Sequence, residues 1–117
     1  MEVEHSWVSR RETTYSHMAT VAAHGPSSSR VYAAWQASGR REGSAEQHIR
    51  LSRSDDGGRT WEAARVVVRG GGAAPVSGES VAGVGTPPAP VWGPTLTTGL
   101  RPGELWVFFS WSGSHNC

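Results

Sequence analysis

The chain has a single cysteine, Cys117, so it holds no internal disulfide and no paired-cysteine redox or zinc motif. It has little net charge: 11 basic residues against 10 acidic ones leave +1. That balance argues against a phosphate-binding face and a nucleic-acid partner, and the two basic doublets, Arg10-Arg11 and Arg40-Arg41, read as solvated loop charges. No apolar run approaches the roughly 18 residues that a membrane-spanning helix needs. Residues 1–11 are polar and carry no hydrophobic signal segment, which predicts a soluble chain with neither leader nor anchor and leaves the compartment open. The five histidines, at 5, 17, 24, 48 and 115, lack tight ligand spacing, so no metal site is expected. The glycines form neither a phosphate loop nor the Gly-x-Ser-x-Gly elbow of a serine hydrolase, and no cofactor is expected.

What the chain does have is glycine (15), proline (7) and tryptophan (6) within 117 residues of which 37% are apolar. Each indole can bury roughly 150–250 Å², and their spread over positions 7, 35, 61, 92, 106 and 111 suggests one per structural segment. Strand composition recurs at 18–23, 30–37, 47–53 and 62–68, with short connections. The Ala33-Ala34 pair also permits a helix, but the segment is too short to prefer one. Residues 47–53 alternate, with Ile49 and Leu51 on one face. Four such strands make a four-stranded antiparallel meander, the size of one propeller blade.

Between the third and fourth strands lies Ser54-Asp55-Asp56-Gly57-Gly58-Arg59-Thr60-Trp61. Each residue type suits a tight hairpin connection. Asp56 can accept hydrogen bonds from turn amides, the glycines admit positive φ, Thr60 favours the return strand, and Trp61 adds an apolar body with one N–H.

The Gly/Pro-rich residues 70–90 read as a long connection. A second meander begins at 91 and stops after two strands, the later of which, 104–111, is the most hydrophobic stretch of the chain. Its continuous apolar run suggests burial on both faces. Residues 1–15 are charged and aperiodic, a tail or edge segment in which Trp7 is a possible anchor, and 113–117 trail off polar.

These residues carry a resemblance. Ser54–Trp61 looks like an Asp-box, or BNR repeat. Its flanks are Ser16-His17-Met18-Ala19-Thr20, Ala33-Ala34-Trp35, the stretch Glu42-Gly43-Ser44-Ala45-Glu46-Gln47-His48-Ile49, Leu51-Ser52-Arg53, and Val91-Trp92-Gly93-Pro94-Thr95-Leu96. Together they resemble the sialidase (neuraminidase) superfamily over roughly residues 16–112. The box alone is less specific, since it recurs in sortilin-type receptors and other propellers.

The resemblance implies an all-β chain that is a partial β-propeller, about one and a half blades from a six-bladed sialidase-type propeller. The first blade would span 16–69 and half of a second 91–112. It makes Ser54, Asp56, Gly58, Thr60 and Trp61 structural residues on the blade rim. The family's catalysis uses an arginine triad on the substrate carboxylate, a tyrosine nucleophile paired with a glutamate, and an aspartate as acid/base. That aspartate lies about a dozen residues ahead of the box, where this chain has Glu42. The first triad arginine belongs to a stretch that here reads His17-Met18-Ala19-Thr20, without arginine, and neither Tyr15 nor Tyr32 occupies the nucleophile's context.

Glu42 is therefore the candidate acid/base and His17 a candidate active-site residue. The alternatives are a loop carboxylate paired with Arg40 or Arg41 and a strand-end histidine. Trp92, Trp106 and Trp111 could stack on a sugar, although blade-core packing is the simpler use. The expected partner is a sialylated or related glycan, with the remaining blades needed for stability and the chain alone inactive. The alternative is a non-catalytic Asp-box propeller for glycan or protein binding.

Overall fold

The computed structural model describes residues 1–10, 12–24, 29–70 and 89–112. The described residues are all-β, with no helix and hence none long and apolar enough to cross a membrane. Six strands form two antiparallel sheets: β1 (Tyr15–Ala23), β2 (Val31–Ser38), β3 (His48–Ser54) and β4 (Arg65–Arg69) in the order β1-β2-β3-β4, and β5 (Val91–Thr98) paired with β6 (Leu105–Trp111). The alanine-containing second segment is a strand. β1 begins at Tyr15, three residues before the sequence expectation, because its first residues are polar and show no apolar alternation. Most of the 70–90 connection (71–88), the turn positions 25–28 and the tail 113–117 lie outside the described residues.

β2 is the sheet's centre and is buried on both faces. On one face Ala34, Ile49 and Leu51 meet Val91 and Leu96 of the second sheet, so Ile49 and Leu51 do share a core face. Ala34 stands opposite Leu51 in the β2–β3 register, and its small side chain leaves room for the larger neighbour. On the other face Ala33, Trp35 and Ala37 pack against Val8, Trp61 and Ala64. The N-terminal segment is thus held by Val8, while Trp7, the expected anchor, is 85% exposed.

The expectation for the aromatic strand is overturned. Leu105 and Val107 reach the core cluster, but Trp106, Phe108, Phe109 and Trp111 are exposed, and Trp106 and Trp111 pack no core. The reason is position: the first sheet packs against β5, and of β6 only Leu105 and Val107 reach that contact.

Gly70 closes the sheet after β4, donating its N–H to the Gln47 carbonyl (3.0 Å). A Cβ at this position would stand 2.3 Å from that oxygen and 2.7 Å from the Ala45 carbonyl. Gly70→Ala is expected to cost about 1–3 kcal/mol, the usual range for forced overpacking, read as a lower urea midpoint. An unchanged midpoint would show that the backbone yields freely here.

Candidate functional site

The 54–61 turn is stapled by its own side chains. The Ser54 hydroxyl donates to Asp56 Oδ1 (2.8 Å) and accepts from the Gly58 N–H (2.8 Å). Asp56 accepts from the Thr60 N–H (2.9 Å) and the Thr60 hydroxyl (2.6 Å), and Trp61 Nε1–H donates to the Gly58 carbonyl (2.9 Å). Gly57 and Gly58 take φ of 74° and 92°, where a side chain would be strained. Ser6 bonds the Gly58 carbonyl from the N-terminal segment. Asp55 is drawn to Arg30 Nε (2.7 Å) and Arg53 Nη2 (3.2 Å), and Arg59 to Glu4 (3.6 Å). The charged residues of the turn are therefore engaged in holding it.

The Thr60 hydroxyl, foremost among the donors, lowers the Asp56 carboxyl from 3.8 to about 2. A folded-state value below the unfolded one adds stability above the ordinary aspartate range, which is lost as pH falls from 3.8 through about 2. Acid titration followed by Trp61 fluorescence is expected to show the turn melting in that window in wild type. The step should be absent in Asp56→Asn, and an identical profile in the two proteins would contradict the staple.

The second cluster stands at the opposite end of β3, in the loop that follows β2. The six-residue rise of β3 separates the two regions by roughly 20 Å, at about 3.3 Å per residue. Glu42 Oε1 lies 3.2 Å from His17 Nδ1 and accepts from Gln36 Nε2–H at 3.2 Å. The Tyr15 hydroxyl lies 2.8 Å from the same His17 nitrogen. His17 and Gln36 are register partners across β1 and β2, and Tyr15, two residues earlier, projects from the same face. After His17 the strand bulges, and Met18 takes a left-handed φ of 55°.

Glu42 therefore pairs with His17, not with the adjacent Arg40 or Arg41. The Tyr15 hydroxyl first, then His17, hold its carboxyl below the usual glutamate range. Partial burial and the neighbouring carboxylate push the Tyr15 phenol up. At neutral pH the cluster holds an ionised carboxylate and a phenol, with the His17 ring between them. His17 Nδ1 faces both Tyr15 and Glu42, so its one position can donate to the carboxylate or accept from the phenol, according to tautomer.

The loop that carries Glu42 is tied down residue by residue. The buried Ser38 hydroxyl accepts from the Arg40 N–H (3.0 Å) and contacts Ser44 Oγ (2.7 Å) and Glu46 Oε1 (2.9 Å). Gln47, fully buried, accepts from the Gly43 N–H (2.9 Å) and donates to the Val91 carbonyl (2.6 Å). A side chain at Gly43 would meet the Trp92 indole at 3.2 Å. On the opposite face of the sheet, that of Ala33 and Trp35, an open depression of about 390 Å³ is lined in part by Trp7, Met18, Val21 and Trp35.

Both candidate residues named from sequence, Glu42 and His17, thus meet in one cluster, across 25 positions of sequence. Tyr15, Gln36 and Gln47 were missed. The available signals were the Tyr15-x-His17 alternation and a glutamine set among the alanines of a strand. Among the described residues there is no group of three metal-ligating side chains. Compared with known proteins, the chain matches no protein-family model, no curated protein and no solved structure.

Proposed function

We propose that this chain forms about one and a half blades of a sialidase-type β-propeller, with Glu42 and His17 on the acid/base side of a glycosidase site for a terminal sialic acid or a related sugar. The observation that carries the reading is the convergence of Tyr15, His17 and Gln36 on Glu42, in the loop that the Asp-box resemblance marks for the acid/base residue. The stapled 54–61 turn supports it from the other end of β3, as a rim feature with its charges internally satisfied.

With Glu42 ionised, it serves as a base toward an incoming water, and proton delivery to a leaving oxygen falls to Tyr15 or His17. A sialic acid carboxylate calls for guanidinium groups. Arg30, Arg50, Arg53, Arg59 and Arg101 pair with carboxylates away from the cluster. With no arginine in the His17-Met18-Ala19-Thr20 stretch either, the carboxylate clamp is assigned to further blades, and the 117 residues alone are expected to be inactive.

The ionised state of Glu42 also favours a second reading, in which the carboxylate only accepts hydrogen bonds from sugar hydroxyls in a non-catalytic propeller that binds glycans or proteins. A fluorogenic sialoside offered to the protein with all its blades separates the two. Turnover supports the glycosidase, and saturable binding without turnover supports the binding module. The absence of both turnover and binding overturns both glycan readings.

A further inference from the structure

The side chain that fixes the Glu42 carboxylate in space belongs to β2 and reaches across to the second sheet. Gln36 is fully buried, and its amide is used at both ends. Nε2–H donates to Glu42 Oε1 at 3.2 Å, while its Oε1 accepts the Gly93 N–H of β5 at 2.9 Å. Gly93 takes a φ of 51°, which a glycine adopts freely, and that conformation presents its N–H to the amide. A buried amide satisfied on both sides has one orientation, since a flip would set donor against donor at Gly93.

We propose that Gln36 is the positioning residue of the Glu42 site, transmitting the placement of β5 to the carboxylate and holding it between His17 and Tyr15. The proposal rests on the reading of Glu42 as the functional carboxylate and adds to it a geometric dependence on the second sheet. Gln36 touches Glu42 and Gly93 and acts through the carboxylate. The ionisable groups that face Glu42 are Tyr15 and His17 from β1; β5 contributes no ionisable side chain, and Arg40 and Arg41 precede Glu42 in its own loop. Losing the amide removes one donor to the ionised form and releases the carboxylate from its two β1 partners. Both effects favour the protonated form.

The test is a carboxyl-carbon NMR titration of Glu42 in the whole chain, comparing wild type with Gln36→Met and, as a smaller change that keeps the amide but shortens its reach, Gln36→Asn. In whichever variant retains the native amide spectrum, the Glu42 midpoint is expected to move upward, and the Gly93 amide to exchange faster than in wild type. A Glu42 curve that superposes on wild type in a natively folded variant overturns the positioning role, because a residue that merely fills the core would leave the titration unmoved. Loss of the native spectrum in both variants also overturns it, since the amide then serves the core as a whole. The sialoside assay fails independently: an absence of turnover and binding sinks the glycan reading and leaves the titration result standing.

Discussion

Gln47→Met is expected to lower the unfolding free energy by on the order of 2–5 kcal/mol. Methionine nearly matches glutamine in shape, so the change isolates the hydrogen bonds. It strips partners from the Gly43 N–H and the Val91 carbonyl. An unsatisfied buried donor or acceptor costs about 1–3 kcal/mol, and Val91 lies in the core between the sheets. Against a total stability of about 5–15 kcal/mol for a typical domain, that is a large fraction. Urea denaturation followed by tryptophan fluorescence reads it as a lower midpoint. A midpoint equal to wild type would mean that water or a shifted loop replaces both bonds, and that Gln47 does not join the sheets.

If the proposed glycosidase reading holds, Glu42→Gln is expected to reduce sialoside turnover by the protein with all its blades by about 10²–10⁴-fold, the usual contribution of a positioned acid/base group. The amide keeps the size of the carboxyl and can still reach Gln36 and His17, so the folded fraction should hold. His17→Ala should cost less, because Tyr15 remains beside the carboxylate. The pH dependence has a definite sign. The donors around Glu42 hold its carboxyl below the ordinary 4.5, so the base form should persist to lower pH than a free glutamate and be lost as pH falls through that lowered value. An acid limb above the ordinary value would contradict the cluster geometry.

Legibility in the sequence followed the range of the interactions. The 54–61 turn could be read because its internal hydrogen bonds, from Ser54 to Gly58 and Asp56 to Thr60, close within four residues. Ile49 and Leu51 could be placed on one face because strand alternation is local. Glu42 and His17 could each be named, but their contact depends on the β1–β2 register that sets His17 opposite Gln36, and the early start of β1 hid Tyr15. Gln36 and Gln47 were out of reach because their partners in β5 lie 57 and 44 residues away. The aromatic strand misled for a related reason. Hydrophobicity records the burial a strand can use, whereas β6 stands at the open edge of a two-stranded sheet. Trp106 and Phe108, with ring centroids 5.9 Å apart, meet each other there instead of the core.

On the proposed glycosidase reading, labour is divided along β3, with chemistry at Glu42 and architecture at Asp56. The most direct test measures sialoside turnover per folded molecule for Glu42→Gln and Asp56→Asn side by side in the protein with all its blades. The expected result is turnover lost in Glu42→Gln and kept in Asp56→Asn, whose defect shows only in acid or thermal stability. Turnover kept in Glu42→Gln, or lost in natively folded Asp56→Asn, would contradict that division.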